Sequence, residues 1–380
     1  MKFFHLSDLH IGKQLHFYSL KEDQQAILEE IVQYARKLEP QAIVIAGDVY
    51  DKSVPSAEAV AVFDEFIRKL ADLDVDILVI SGNHDSPERL DFASTLLERQ
   101  RLYIAGMVPA VSQEYLKKVT LSDEYGEVEF WLLPFLKPGY VKNVFEDEEP
   151  VSCTEAIKRL LEREKPDSVT RKILVTHQFY TASGVEPARS DSETVYVGGA
   201  GNADISAVEG FDYVAMGHIH KAQSVGKPSC RYCGTPLKYS AGESRDEKSL
   251  TVVTLEEKGT APVIETFPLH PLRDVKQMCG TLEELLKQGC EDYVSLTLTD
   301  ERMPYQPREK LLEAFPNMLE LKVENTRTRL ALENLSEAGV PANPLEGFEK
   351  FYEEVNGCPM NEEERDVMKQ ILEKAQEERT

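Results

Sequence analysis

Five short apolar segments of this 380-residue chain are each followed directly by side chains that bind metal ions in proteins. The residues that follow them are Asp8 and His10, then Asp48 and Asp51, then Asn83, His84 and Asp85, then His177, and finally His218 and His220. Continuous apolar segments of this length are typical of β-strands buried on both faces. Because ligands gather at the carboxyl ends of strands in layered α/β folds, we expect the five clusters to face one crevice.

The donor types predict a pair of metal ions rather than a single one. Two carboxylates, one amide and four imidazoles are available, from Asp8, His10, Asp48, Asn83, His177, His218 and His220. Seven ligands are too many for one tetrahedral zinc, and they suit two ions that share a bridging carboxylate. No cysteine belongs to these clusters, so oxygen and imidazole donors favour manganese, iron or zinc over a thiolate site.

The motifs resemble the signature of the calcineurin-like metallophosphoesterases over residues 1–267. They read Asp8-x-His10, Gly47-Asp48-x-x-Asp51, Gly82-Asn83-His84-Asp85, Thr176-His177 and Gly217-His218-Ile219-His220. The Asp-Leu-His-Ile-Gly opening, the length and the appended regions resemble more narrowly the bacterial SbcD family, the nuclease subunits of SbcCD complexes.

This resemblance implies a role for each cluster. It places one ion on Asp8, His10, Asp48 and His220, and a second ion on Asp48, Asn83, His177 and His218, with Asp48 bridging. The implied metal is manganese. His84 is not a ligand in this scheme but donates a proton or hydrogen bond to the leaving oxygen. Asp51 is placed to orient His84, and Asp85 is the rival for that task.

The elements that must position these clusters follow from the hydrophobic pattern. Strands are predicted at Lys2–Leu6, Ala42–Ala46, Asp76–Ser81, Val128–Leu133, Lys172–Thr176 and Tyr213–Met216, with a closing hairpin at Leu250–Leu255 and Pro262–Phe267. Helices are predicted at Lys21–Leu38 and Ser56–Leu73, with Ser56 as the N-cap. The alternation predicts an α/β layered domain. The family resemblance extends this to an α/β (α+β) fold: a four-layer sandwich of two mixed β-sheets flanked by helices.

A change of rhythm near residue 270 predicts further units. We expect a metallophosphoesterase nuclease domain at 1–268, a small α+β cap domain that contacts DNA at 269–340, and a C-terminal helix pair at 341–380 that binds an ATPase. The cap pattern is strand, helix (Leu282–Lys287), strand (Tyr293–Leu298), helix (Arg308–Ala314) and strand (Leu319–Val323). Pro341-Ala-Asn-Pro344 reads as a linker.

The overall charge argues against a nucleic-acid partner, because 67 acidic residues against 43 basic ones give a formal net charge of −24. Residues 218–248 reverse that balance locally, with Lys221, Lys227, Arg231, Lys238, Arg245 and Lys248 beside two expected ligands. This segment is either a surface that follows a DNA backbone or a solvated hairpin. Cys230-x-x-Cys233 has no second close pair, so a structural role is expected.

The family resemblance implies a two-metal, manganese-dependent DNA nuclease subunit, with double-strand exonuclease and single-strand or hairpin endonuclease activity in DNA replication, repair and recombination. No phosphate-binding loop GxxxxGK[ST] occurs, so ATP control must come from a partner, an SbcC-like coiled-coil ATPase. A homodimer of the nuclease domain within a heterotetramer is expected. So is a cytoplasmic location without membrane contact, because no apolar run reaches the length of a membrane helix. The alternative is a metallophosphoesterase acting on phosphoproteins or cyclic nucleotides.

Overall fold

The computed structural model describes residues 1–145, 148–165, 167, 169–193 and 201–326, together with 345, 347–349, 352–353, 359–361 and 364–369. Two six-stranded sheets dominate this part of the chain. In spatial order the first sheet contains β16 (Val263–Pro268), β15 (Ser249–Thr254), β1 (Lys2–Leu6), β4 (Ala42–Ala46), β5 (Asp76–Ile80) and β6 (Leu102–Ala105). The second contains β13 (Gln223–Val225), β14 (Lys227–Tyr232), β12 (Tyr213–Gly217), β9 (Arg171–His177), β8 (Gly126–Leu133) and β7 (Lys117–Asp123).

Both sheets are mixed. In the first, β1, β4, β5 and β6 are parallel, while β15 runs antiparallel to both of its neighbours, β1 and β16. In the second, β8, β9, β12 and β14 are parallel, while β7 and β13 run antiparallel. The ligand-bearing strands are therefore parallel neighbours, and this brings their carboxyl ends to one edge of each sheet.

Helices cover the outer face of each sheet. On the first sheet, α1 (Lys21–Leu38) and α2 (Ala57–Ala71) bury an apolar face against side chains such as Phe4 and Ile43. On the second, α5 (Cys153–Arg163) packs against Trp131 and Leu174. A third apolar cluster, which includes Phe3 and Phe130, fills the space between the sheets. The predicted four-layer sandwich is confirmed.

Several short elements connect these layers. α3 (Pro87–Leu90) and α4 (Ser94–Leu97) lie between β5 and β6. Two small two-stranded sheets pair β2 (Gln14–Leu15) with β3 (Tyr18–Ser19), and β10 (Phe179–Thr181) with β11 (Asn202–Asp204). The predicted N-cap of α2 is confirmed, because the Ser56 hydroxyl accepts a hydrogen bond from the Ala59 amide at 3.2 Å.

Residues 275–323 form a small α+β unit with its own apolar core. Its three parallel strands are β17 (Val275–Gly280), β18 (Tyr293–Leu298) and β19 (Met318–Val323), and its helices are α6 (Leu282–Leu286) and α7 (Pro307–Ala314). It docks on the start of α1, where Arg273 and the Tyr293 hydroxyl both donate to Asp23, at 2.8 and 2.9 Å. Dividing the chain into domains at 268 and 340 remains a prediction.

The predicted C-terminal helix pair at 341–380 lies largely outside the described residues. In the part of the chain that the structure describes, no helix combines the length and the apolar character needed to cross a membrane.

Candidate metal centre

All nine predicted site residues gather where the carboxyl ends of five strands converge. Asp8 and His10 follow β1, Asp48 and Asp51 follow β4, and Asn83 and His84 follow β5, three neighbouring strands of the first sheet. His177 ends β9, and His218 and His220 follow β12, its neighbour in the second sheet. The sandwich therefore places the ligand-bearing edge of the first sheet against the ligand-bearing edge of the second.

Four of these residues hold a backbone conformation that L-amino acids rarely adopt. Asp8, His10, Asp48 and His218 have φ values of 52°, 42°, 50° and 103°. Such conformations cost free energy and persist where surrounding contacts enforce them, commonly at functional sites. Here the buried Gln24 amide of α1 donates to the carbonyls of Leu9 and His10, which holds the first ligand loop in place.

Glycines give the ligands room to approach one another. A Cβ at Gly82 would lie 2.1 Å from Asp48 Oδ1, and one at Gly47 would lie 2.4 Å from His177 Nδ1. A Cβ at Gly217 would lie 2.0 Å from the Ala46 carbonyl oxygen. At these positions any larger residue would push a ligand or its supporting backbone out of place.

The first predicted ligand group is tightly assembled. His10 Nε2 lies 3.2 Å from His220 Nε2, 3.9 Å from Asp8 Oδ1 and 3.7 Å from Asp48 Oδ2. All four side chains are buried. One donor atom each from Asp8, His10 and His220 lies within 4.8 Å of the others, which is compact enough to surround one ion.

The second predicted group adjoins the first through Asp48. His177 Nε2 lies 3.3 Å from Asp48 Oδ2 and 3.1 Å from Asn83 Oδ1, and His218 Nδ1 lies 2.8 Å from the same amide oxygen. The Ala46 carbonyl accepts a hydrogen bond from His177 Nδ1 at 2.7 Å, so the neutral ring presents its Nε2 lone pair to the site.

These donors fit divalent cations. Carboxylate, amide and imidazole lone pairs converge in a buried space, and such an arrangement is costly unless positive charge lies between them. Burial opposes charging of His177, yet Asp48 and Asp8 raise its pKa to about 9, so these carboxylates favour a positive charge at this position. A bound divalent cation would take the place of the proton on Nε2 and leave the ring neutral. Burial lowers the pKa of His218 to about 3 and that of His10 well below its ordinary value, which keeps both rings in the neutral form that binds metal.

His84 lies beside the ligands and is held by two hydrogen bonds, one from its backbone amide and one from its ring. Its amide donates to Asp48 Oδ1 at 2.8 Å, and its ring Nδ1 donates to the main-chain oxygen of Asp51 at 2.9 Å. The Asp51 carboxylate instead accepts from Lys13 Nζ at 2.7 Å. Asp85 accepts from three backbone amides, those of Val49, Tyr50 and Gly82, and so ties the two loops together. The roles of His84 and Asp51 remain predictions.

The basic segment 218–248 is less available to DNA than its composition indicated. Lys221, Lys238 and Lys248 lie in ion pairs with Asp246, Asp274 and Glu243, at 3.7, 2.8 and 2.6 Å. Arg245 lines a cavity of about 490 Å³ together with Lys276 of the α+β unit. Cys230 and Cys233 are buried free thiols. The Ser192 hydroxyl lies 2.7 Å from His220 Nδ1. Sequence reasoning did not single out Gln24 or Ser192, because neither carries a local signal.

Comparison with known proteins places the chain in a family. The calcineurin-like phosphoesterase model matches residues 1–222, and the SbcD_C model, described as the type 5 capsule protein repressor C-terminal domain, matches residues 268–356. The SbcD component of the SbcCD nuclease of Staphylococcus epidermidis is 33% identical over 329 residues, which cover 84% of this chain and 85% of that protein.

Two solved structures resemble the chain more distantly. They are TT1561 of Thermus thermophilus and a dimetal phosphatase of Danio rerio, each 13% identical with a TM-score of 0.39. They cover 71% and 70% of this chain and 99% of their own chains. The phosphoesterase model and the SbcD relative each span more than half of the sequence. The protein therefore belongs to the calcineurin-like phosphoesterase family and, within it, to the SbcD nuclease subunits.

Proposed function

We propose that this protein is a manganese-dependent DNA nuclease subunit that binds two metal ions and acts with an SbcC-like coiled-coil ATPase in DNA end processing. The observation that carries the proposal is the buried convergence of seven oxygen and imidazole donors beside His84. Membership of the SbcD family supports DNA as the substrate.

The chain's residues divide into holders of the ions and a proton donor. Asp8, His10, Asp48 and His220 would hold one ion, and Asp48, Asn83, His177 and His218 the other. Two bound divalent ions supply an acidified water and neutralise charge on the attacking and leaving oxygens of a phosphodiester. Because the Nδ1 hydrogen of His84 is directed to the Asp51 carbonyl, the protonated ring donates to the leaving oxygen through Nε2.

The α+β unit supports a substrate larger than a nucleotide or phosphopeptide. It is held against α1 by Arg273, and the cavity between it and residues 244–245 is lined by Arg245 and by Lys276, which pairs with Asp292 at 2.5 Å. Cations of this kind bind phosphates of a nucleic-acid backbone. A small-substrate phosphoesterase has no need of such an added unit.

The proposed partners contact two other parts of the chain. Residues 341–380, whose sequence pattern predicts amphipathic helices, bind the ATPase. The nuclease domain forms a homodimer through an apolar groove of about 690 Å³ between α2 and the α3–α4 segment, in which the lining side chains Phe92 and Val60 are 80% and 45% exposed. An exposed apolar surface of this kind favours burial against protein.

The test uses full-length protein stripped of metal with a chelator and then supplied with Mn²⁺, Mg²⁺ or Zn²⁺. We expect Mn²⁺ to support cleavage of linear duplex, hairpin and single-stranded DNA in preference to p-nitrophenyl phosphates, phosphopeptides and cyclic nucleotides. His177→Ala should abolish cleavage, and His270→Ala, at an exposed histidine paired with Glu30, is the matched control. A protein that hydrolyses the small substrates but cuts no DNA with any metal would overturn the proposal.

A further inference from the structure

The ring Nδ1, the backbone amide and the backbone carbonyl of His220 are each held by a side chain that has no part in the proposed reaction. Its ring Nδ1 lies 2.7 Å from the Ser192 hydroxyl, its amide donates to Glu193 Oε1 at 2.8 Å, and its carbonyl accepts from Lys248 Nζ at 3.0 Å. We propose that Ser192, Glu243 and Lys248 form a positioning relay that fixes the orientation and proton of His220 for metal binding. This inference rests on the proposed function, in which His220 holds one of the two ions.

The direction of each hydrogen bond follows from the charge at the far end of the relay. Glu243 is fully buried and its Oε2 lies 2.6 Å from Lys248 Nζ, a pairing that keeps the carboxylate ionised and able only to accept. Ser192 therefore donates its hydroxyl hydrogen to Glu243 Oε1, at 2.6 Å. Its oxygen then accepts from His220 Nδ1–H.

The proton on Nδ1 determines which electrons the opposite nitrogen of His220 presents to the metal site. Because Nδ1 carries the proton, Nε2 carries the lone pair, and it faces His10 Nε2 at 3.2 Å. A carboxylate behind a ligating imidazole also fixes the tautomer and the angle of the ring. The relay supplies this carboxylate through one hydroxyl, since Glu243 Oε1 itself lies 3.6 Å from His220 Nδ1.

The buried charges indicate that the relay serves more than stability. The free-energy cost of burying a carboxylate and an ammonium together is about as large as the gain from their attraction. Apolar residues of similar volume in the same place often stabilise a fold equally well. Glu243 and Lys248 nevertheless lie behind one ligand and both contact the groups that hold it. Their arrangement suits a positioning role.

His177 offers an internal comparison. Its Nδ1 is held by the main-chain carbonyl of Ala46, which no side-chain substitution removes. The relay thus makes the ion on His220 dependent on side chains 192, 243 and 248, whereas the ion on His177 does not depend on them. Weakening the relay should affect one ion of the pair and spare the other.

The experiment measures Mn²⁺ binding to chelator-treated full-length protein by calorimetry, with bound metal counted by elemental analysis. Loss of a group behind a metal ligand typically costs about 10- to 100-fold in affinity. We expect Ser192→Ala to weaken one of two Mn²⁺ sites by that factor and to leave the other unchanged. Ser192→Thr, which keeps the hydroxyl, should restore binding. Ser224→Ala, which removes a hydroxyl bonded to the Pro228 carbonyl on an exposed strand, is the matched control.

The activity of the same variants gives a second readout. Ser192→Ala should require more Mn²⁺ for half-maximal DNA cleavage, with kcat at saturating Mn²⁺ near that of the wild type. Glu243→Gln should show the same one-site loss, because the amide cannot attract the proton as the carboxylate does. The thermal midpoint of metal-free Ser192→Ala should match that of the metal-free wild type.

The outcomes separate the relay from the metal centre itself. If the wild type binds two ions and Ser192→Ala binds both with unchanged affinity, the relay is wrong and the proposed function stands. A Ser192→Ala protein that loses both sites equally, or is not rescued by Ser192→Thr, also overturns the relay. If the wild type binds no divalent ion, the proposed metal centre fails and the relay with it.

Discussion

Substituting Gly82 by alanine tests the placement of the proposed bridging ligand. An alanine Cβ would lie 2.1 Å from Asp48 Oδ1, 2.7 Å from its Cγ and 2.4 Å from its backbone nitrogen. Contacts this short do not occur, so the carboxylate must retreat by roughly 1 Å, and a displacement of that size in a reacting assembly can cost about 10²-fold in rate. The loop itself must move too, because one of the clashing atoms is backbone.

The same shift disturbs His84, whose amide donates to Asp48 Oδ1. We therefore expect Gly82→Ala to lower kcat for Mn²⁺-dependent DNA cleavage by about 10²-fold or more. Overpacking should cost about 1–3 kcal/mol of unfolding free energy. Gly139→Ala is the matched control, because a Cβ there meets nothing within 4 Å. The measurements are initial cleavage rates, bound Mn²⁺ and thermal melts. If Gly82→Ala keeps wild-type turnover and both ions, the assigned position of Asp48 is wrong.

Three further predictions address the proton donor, the scaffold and the partner. His84→Ala should keep both ions and DNA binding but lose about 10²–10⁴-fold in single-turnover cleavage, and loss of metal would show that His84 is a ligand instead. Asp123→Asn should lower the free energy of unfolding at pH 7 by about 3–5 kcal/mol, because the Arg171 and Asp123 side chains are only 2% and 4% exposed. Burial acts to raise the pKa of Asp123, but the Arg171 guanidinium holds it below the ordinary 3.8. The extra unfolding free energy of the wild type, measured in urea melts, should therefore disappear as the pH falls below 3.8. A difference between wild type and variant that does not change with pH would contradict the ion pair. Deleting residues 342–380 should leave Mn²⁺-dependent cleavage of single-stranded DNA intact but abolish copurification with the ATPase and ATP-stimulated cleavage of duplex ends; full-strength copurification would refute the proposed contact.

The sequence was most informative where strands are buried on both faces. Lys2–Leu6 and Ala42–Ala46 were predicted with the bounds that the structure has, because their mainly apolar side chains suit a position between two layers. The helix Lys21–Leu38 was also predicted in full, since its apolar face recurs with helical spacing. Within the small unit, the order strand, helix, strand, helix, strand was confirmed.

The edge strands and short helices named here were not predicted from the sequence, for physical reasons. β7 alternates between buried and exposed side chains at the border of its sheet, and its many polar residues resemble a loop. β13 has only three residues, too few for a periodic pattern to show. α3 and α4 have four residues each and owe their form to tertiary packing.

The residues of the metal site likewise include some that the sequence predicts and some that it does not. Its ligands were predictable because each follows its own strand with a recognisable spacing. Their supports were not, since contacts such as Ser192 with Glu243 join residues 51 positions apart, and Gln24 belongs to a helix whose pattern only reports its buried face. Lys248 was counted among the charges of a DNA-facing or solvated segment, whereas the structure buries it, together with Glu243, behind His220.

Diffraction from crystals grown with Mn²⁺, using data collected at the manganese absorption edge, shows directly whether this fold holds two ions at a shared carboxylate. We expect two anomalous peaks, one on either side of the Asp48 carboxylate. One should be ligated by Asp8, His10 and His220, and the other by Asn83, His177 and His218. A single peak, or two peaks that do not share Asp48, would contradict this expectation.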